Sequence, residues 1–440
     1  MKSSSPDSPL ALSVSQSMPS GMVWLFALAS GLSVANVYYA QPLLDALARD
    51  FRIGPAAVGG VVTATQLGCA LALLLIVPLG DRVDRRRLMA AQLLALVAAL
   101  VAVGMVHSVS ALLVSMLAVG LLGTAMTQGL IAYAASAAAV GEQGSVVGAA
   151  QGGVFMGLLL ARVFAGAVSD LTGWRGVYLG AAALMMALAF PLWWRLPALP
   201  ARRVASPAMS YSRFIASMST LLRQERVLQV RGLLALLMFA AFNIFWSALV
   251  LPLSAPPYSF SHTAIGAFGL VGAIGALAAA GAGRWADRGK GRRTTAAALA
   301  VMLLAWLPLS MMDWSLWALV IGIVLLDSGG QALHVTNQSL IFRGQRETHS
   351  RLVGIYMLFY AVGSGLGAIG TTITYAHAGW HGVCLLGATV SLVALAYGWA
   401  TREDIPGEPS SSQARCPDRP LTSLGVRPTV SKPAAAPLAR

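Results

Sequence analysis

Charge is what this chain lacks. Only 10% of its 440 residues are Asp, Glu, Lys or Arg, against about 25% in soluble globular proteins. So few charges cannot cover a folded surface of this size in water, which excludes a soluble protein. Cysteine is equally scarce: Cys69 and Cys384 fall in apolar runs and Cys416 near the end, so no disulfide framework is implied. Catalytic signatures are missing too. There is no H-E-x-x-H and no G-x-S-x-G, and Arg284 stands where a phosphate-binding loop ending in Gly289-Lys290 would need glycine. No enzyme, no metal and no cofactor are expected, and any driving force must come from a gradient.

What fills the chain instead is apolar: 57% of residues are hydrophobic. A bilayer core asks for about 20 apolar residues per helix. Runs of that kind lie at 22–41, 58–79, 88–106, 110–136, 145–168 and 175–194, then at 232–253, 263–283, 294–312, 315–340, 352–375 and 381–400. The fold class expected is an all-α integral membrane protein with twelve spans. The first run is long and followed by eleven more, so it reads as a retained helix and not as a signal peptide.

The net charge of +14 raises the question of nucleic acid, and the placement of the charges answers it. Of 30 Lys and Arg, Arg49, Arg52 and Arg175 fall on one side and Arg162 inside a span, while the other 26 fall on the opposite side. That is the positive-inside pattern, with both termini cytoplasmic. A nucleic-acid partner would need a basic face on a soluble domain, and there is none.

The organisation read from these runs has five parts: a Ser-rich N-terminus at 1–21, six spans over 22–194, a linker at 195–231, six spans over 232–401 and a Pro-rich tail at 402–440. Both ends are expected to be disordered. In the linker Tyr211, Phe214, Ile215, Met218, Leu221 and Leu222 recur at helical spacing, which predicts either an amphipathic helix on the inner membrane surface or an ordinary connecting helix.

The halves repeat. Asp81 in "GDRVDRRR" answers Asp287 in "ADRGKGRR", Gly148 and Gly157 answer Gly354 and Gly363, and "GWRGVY" at Gly173 answers "GWHGVC" at Gly379, each at an offset of 206. Asn36 pairs with Asn243 and Gln128 with Gln331 at nearly the same offset. Two parallel six-helix repeats with a site between them is a transporter plan. "GLGAIG" at Gly365 matches a dinucleotide pattern, but it lies in a span with no strand before it, so close helix packing accounts for it.

The loop "PLGDRVDRRR", with Leu79, Gly80, Asp81, Arg82, Arg85 and Arg86, resembles the loop between the second and third helices of the major facilitator superfamily. Ala286, Asp287 and Arg288 repeat it in the second half. The resemblance covers roughly 22–400 and implies a transporter that works as a monomer in a bacterial inner (plasma) membrane, with protons and a small-molecule substrate as its partners. It also implies a conformational latch in which Asp81, Arg82, Arg85, Asp287 and Arg288 tie helix ends together. The branch it resembles most is the drug–proton antiporter type. It departs from that branch at Ala125, where an Arg is usual, and at Leu158, Ala161 and Arg162, where a Pro and two glycines are usual.

Two charges lie well inside spans, Arg162 and Asp327. A charge there costs about 2.5–3.5 kcal/mol even on an insertion scale, so each is a functional candidate. Gln331, His334 and Gln338 follow Asp327 along one helical face, which makes Asp327 and His334 candidates for proton coupling. Asp327 as a structural counter-ion to Arg162 is the alternative. The family fold implies that helices 1, 4, 7 and 10 line the cavity, which offers Asn36, Tyr39, Gln128, Asn243, Trp246 and Gln331 to a substrate. Tyr38 and Tyr39 also fit an interfacial aromatic belt. Proton-coupled efflux is the leading expectation; a proton-linked importer or uncoupled facilitator is the runner-up.

Overall fold

The computed structural model describes residues 18–81, 83–139, 142–196, 211–285, 290–341 and 349–401, and everything ordered among them is helical. The first half comprises α1 (Ser20–Tyr38), α2 (Leu44–Phe51), α3 (Pro55–Leu71), α4 (Arg85–Met105), α5 (Val109–Ala137) and α6 (Gln143–Arg195). The connecting α7 is Tyr211–Gln224. The second half comprises α8 (Arg226–Ala248), α9 (Val250–Leu253), α10 (His262–Trp285), α11 (Gly291–Ser310), α12 (Leu316–Ile341) and α13 (His349–Ala400).

Nine segments among the described residues are long and apolar enough to cross a membrane. Two of them, α6 with 53 residues and α13 with 52, each make two crossings, and the 24-residue α10 completes twelve. The break in α6 is Gly173 at φ 78°, and the break in α13 is Gly379 at φ 59°. Nothing lies within 4 Å of a Cβ built on either glycine, so it is the left-handed backbone and not space that calls for glycine there. The chain folds back on itself at both places. Phe164 packs 3.7 Å from the Cβ position of Gly180, and Leu386 packs 3.8 Å from that of Gly370, the equivalent pair one repeat later.

The repeat shows in the packing as well. A Cβ on Gly157 would meet the carbonyl of Gly31 at 2.2 Å, and one on Gly363 would meet that of Leu236 at 2.1 Å. So α1 against α6 and α8 against α13 use the same close crossing, built on residues 206 apart. Gly367, inside "GLGAIG", would meet the Ala240 carbonyl at 2.4 Å, which is helix packing and not a nucleotide site.

Charged and polar residues cap the ends. Asp84 is the N-cap of α4 and accepts a hydrogen bond from Arg87 N at 2.9 Å. Helix α7 is amphipathic as its spacing predicts, but Met218, Leu221 and Leu222 pack on Leu228, Leu352 and Ile355 of the second half. Its apolar edge is therefore turned toward protein, while the side chains of Tyr211, Phe214 and Ile215 lie outside the described residues.

Below, the face carrying Ser20 and Ala400 is the terminal face, and the face carrying the Gly173 and Gly379 breaks is the turn face.

Candidate functional site

The site begins with a helix that stops early. α1 ends at Tyr38, and a 3-10 turn at Gln41–Leu43, with Pro42 at its start, carries the chain into α2. Tyr38 and Gln41 both reach a small cavity of about 50 Å³ between the two halves. Arg162 reaches it from α6, Asn243 and Trp246 from α8, Asp327 and Gln331 from α12, and Tyr360 from α13. Phe155, Phe239 and Phe242 supply apolar wall. The Tyr38 and Tyr360 hydroxyls hydrogen-bond to each other across the two halves.

Arg162 is 5% exposed, and its partners are neutral. Its Nη2 donates to Gln41 Oε1 at 2.9 Å and its Nη1 to the Leu158 carbonyl of its own helix at 3.4 Å. The guanidinium lies 4.1 Å from the centre of the Trp246 ring and 5.7 Å from that of Tyr38. Gln41 Nε2 in turn donates to Asn243 Oδ1 at 3.1 Å, so a chain of neutral amides joins the halves beneath the charge. Arg162 and Asp327 line one cavity without forming an ion pair.

Both charges approach through glycine. A Cβ on Gly269 would meet Arg162 Cδ at 3.2 Å, one on Gly272 would meet Asp327 Oδ2 at 2.1 Å, and one on Gly275 would meet Asp327 Cβ at 2.7 Å. With Gly266, which would touch the Arg162 carbonyl at 2.3 Å, these form a stripe along α10 at every third position. A side chain at Gly269, Gly272 or Gly275 would press on the Arg162 or Asp327 side chain, and one at Gly266 on the Arg162 backbone. The signal was present in the sequence as G-x-x-G-x-x-G-x-x-G over Gly266–Gly275, but it reads as generic helix packing until the facing residues are known.

Several expected cavity residues stand elsewhere. Tyr39 is one residue, about 100° of helix rotation, beyond Tyr38. It packs inside the first half against Phe164 at 5.3 Å and Tyr178 at 6.4 Å. Asn36 turns its amide onto its own helix, donating to Leu32 O at 2.8 Å, beside Gly123 of α5. Gln128 is half-buried on α5 and does not line the cavity. His334 also lies off the lining. Its Nδ1 meets the Tyr356 hydroxyl at 2.9 Å and its Nε2 meets Gln338 Nε2 at 3.3 Å, with the Phe239 ring edge-on at 5.4 Å. Phe239 separates it from the cavity it was expected to serve.

Of the expected latch, Arg85 binds Ser136 Oγ at 2.5 Å and Ala132 O at 3.4 Å, which ties the start of α4 to the end of α5. Arg86 donates to the Trp193 carbonyl and stacks on that ring at 5.0 Å, tying α4 to the end of α6. Arginines at helix C-termini are favoured by the helix dipole. The side chains of Asp81, Arg82, Asp287 and Arg288 lie outside the described residues.

Two features were missed. Arg231 was expected in the linker, but it sits in the second turn of α8, fully buried, donating to Thr295 Oγ1 at 2.8 Å and Asn337 Oδ1 at 3.1 Å. An Arg one residue before an apolar run reads the same whether it snorkels to water or turns inward.

The other is a charged cluster on the turn face. His262, at the start of α10, has Asp45 Oδ1 2.9 Å from Nε2 and Asp170 Oδ1 3.1 Å from Nδ1. Asp170 also accepts from the backbone N–H of His262 at 3.0 Å and of Thr263 at 2.8 Å, and from Thr263 Oγ1 at 2.6 Å. An acid of the first half thus caps a helix of the second. The Asp45 hydrogen bond raises the His262 pKa above its usual 6.5, burial opposes, and Asp170 adds to the rise. Asp170 loses water, which would raise its pKa, but the bonds from Thr263 and His262 outweigh this and hold it at about 2.

Comparison with known proteins agrees with this architecture. The model of the Major Facilitator Superfamily matches residues 24–344 and 233–437. Transporter YgaY of Escherichia coli K12 is 40% identical over 385 residues, covering 86% of this chain and 95% of that protein. A transporter of Streptomyces coelicolor is 30% identical over 381 residues, covering 85% of each. The crystal structure of a bacterial homologue of the human lysosomal transporter Spinster, inward-facing and occupied, superposes with a TM-score of 0.75 at 15% identity, over 88% of this chain and 98% of that one. That last likeness is one of fold.

Proposed function

This chain belongs to the major facilitator superfamily, a multi-pass membrane transporter and not an enzyme, and we propose that it is a proton-coupled exporter of small organic solutes. It works by alternating access in a bacterial inner membrane, with the terminal face toward the cytoplasm. The observation that carries the reading is Asp327. It is the one carboxylate deep in a described span, and it faces a cavity shared by both halves. An ionised carboxylate is costly to enclose in a membrane and cheap to hydrate. Closing the cavity therefore favours a proton on Asp327, and opening it to water favours release. Protonation is in this way tied to which side is open. Phe239 stands between His334 and this cavity, so His334 serves only indirectly, on the terminal-face side through Gln338.

The test is a broad solute and drug panel in proteoliposomes with an imposed pH gradient. Asp327→Asn, held in a neutral form, abolishes uphill transport and keeps substrate exchange, whereas His334→Ala only slows coupled transport. If Asp327→Asn still concentrates substrate against a gradient, the coupling site is elsewhere. Uptake in the direction of the proton flow would replace export by import on the same fold.

A further inference from the structure

The cavity contains a cation that no acid pairs with directly, and we propose that it receives the carboxylate of a small organic acid, a monocarboxylate with a compact apolar or aromatic body. This rests on reading the cavity as the transport site. A guanidinium has five N–H donors. Arg162 directs one to Gln41 Oε1 at 2.9 Å and one to the Leu158 carbonyl at 3.4 Å, and its buried Nε has no partner. Both acceptors are neutral, and the Gln41 amide is itself committed to Asn243 at 3.1 Å. Asp327 shares the cavity but makes no ion pair with Arg162, and its carboxylate lies against Gly272 of α10.

The orientation of Arg162 favours a ligand at its edge. The Trp246 ring, 4.1 Å away, occupies the face of the guanidinium, so a ligand must use the rim, where three of the five N–H donors are not directed to Gln41 or Leu158. A planar carboxylate matches that rim two bonds at a time. A dianion such as phosphate does not suit the site. There is one guanidinium to balance it, and Asp327 sits close enough to repel a second negative charge. Phe155, Phe242 and Tyr360 offer rings and few polar groups, which suits an apolar body better than a sugar. The cavity, of about 50 Å³, holds a few water-sized atoms, the size of a carboxylate head. With a proton on Asp327 and one organic anion on Arg162, the loaded cavity carries no net charge, which is the cheapest state to enclose in lipid.

The test is equilibrium binding to the purified full-length protein in detergent, with radiolabelled benzoate, phenylacetate and butyrate as probes and their uncharged amides as competitors. At least one acid is expected to bind saturably while its amide fails to compete. Arg162→Gln should weaken that binding roughly tenfold or more, the loss of a charge-assisted pair, and Arg162→Lys should recover part of it. The proposal is overturned if no acid binds more tightly than its amide, or if a folded Arg162→Gln binds the acid as well as the unaltered protein. The acid–amide comparison needs no variant, so a misfolded Arg162→Gln does not remove the test. No gradient is used, so failure of proton coupling leaves the result untouched. Conversely, gradient-driven transport of amines or neutral solutes with no acid bound would keep the coupling reading and remove this one.

Discussion

Two places among the described residues bring basic and acidic side chains of opposite halves together, and they do so in opposite ways. On the turn face, Asp170 accepts four hydrogen bonds from His262 and Thr263, and both ring nitrogens of His262 meet a carboxylate. Both can donate only when the ring is protonated. In the cavity, Arg162 and Asp327 are nearer the membrane centre, where pairing would help most, yet each leans on neutral groups and Arg162 keeps a donor unused. A satisfied cluster holds a conformation. An unsatisfied one, kept apart by the surrounding packing, is the arrangement on which the proposed proton and organic anion rest.

The largest expected effect comes from closing the gap that keeps the cavity charges apart. Gly272→Leu puts side-chain atoms where Asp327 Oδ2 now lies, 2.1 Å from the new Cβ, so transport should fall to background. Gly180→Ala, whose Cβ would meet only the Phe164 ring at 3.7 Å, should transport normally. Equal loss in both would make the stripe on α10 ordinary packing.

Next comes the pH dependence of the turn-face cluster. His262 has a raised pKa, so its contribution to the turn-face cluster is full below 6.5 and is lost as pH rises through the raised value. Asp170 has a depressed pKa, so its contribution is full above 3.8 and is lost as pH falls toward about 2. Both are intact between 3.8 and 6.5. Thermal stability should therefore decline from mildly acidic to alkaline pH, and His262→Ala should flatten that decline; an unchanged slope would mean that the cluster does not titrate there. The groups facing His262 are Asp45, itself paired with Arg49 at 2.7 Å, and Asp170.

A smaller effect is expected at Gly173, three residues beyond Asp170. Ala at φ 78°, ψ 171° costs roughly 1–3 kcal/mol, read as a lower melting temperature with transport retained. The smallest lies outside both regions. Asp84→Ala removes the α4 cap at a cost of about 1 kcal/mol, while Asp84→Asn, also a good cap, should change little. If Asp84→Asn abolished transport, its charge would belong to the latch and not to the cap.

An acid at a helix end is marked in the sequence at Asp81, and among the described residues one joins the two halves at Asp170. Asp81 stands out in sequence, surrounded by arginines between two apolar runs. Asp170 stands alone before a turn, and its partner His262 is 92 residues away. Nothing local marks it. The pairing exists only because α6 and α10 meet, where Gly166 lies 2.1 Å from the His262 carbonyl when given a Cβ.

By itself the sequence determined the environment, the number of crossings and the duplication. These follow from local quantities: the length of apolar runs set by bilayer thickness, the side on which Arg and Lys collect, and an offset of 206 whose glycines, Gly173 and Gly379, do adopt the same left-handed turn. It also singled out Arg162 and Asp327, because charge inside an apolar run is visible without a fold. Which neighbours those charges meet was decided by tertiary structure alone. Tyr38 faces the cavity, and Tyr39, about 100° further round, meets Phe164 and Tyr178 inside the first half. Arg231 turns inward because Thr295 and Asn337 are there to receive it. Asp327 stands apart from Arg162 because four glycines of a third helix let both lie flat against it. Side-chain direction and partner choice depend on how separate helices cross, and residues far apart in the chain carry no mark of where they will meet.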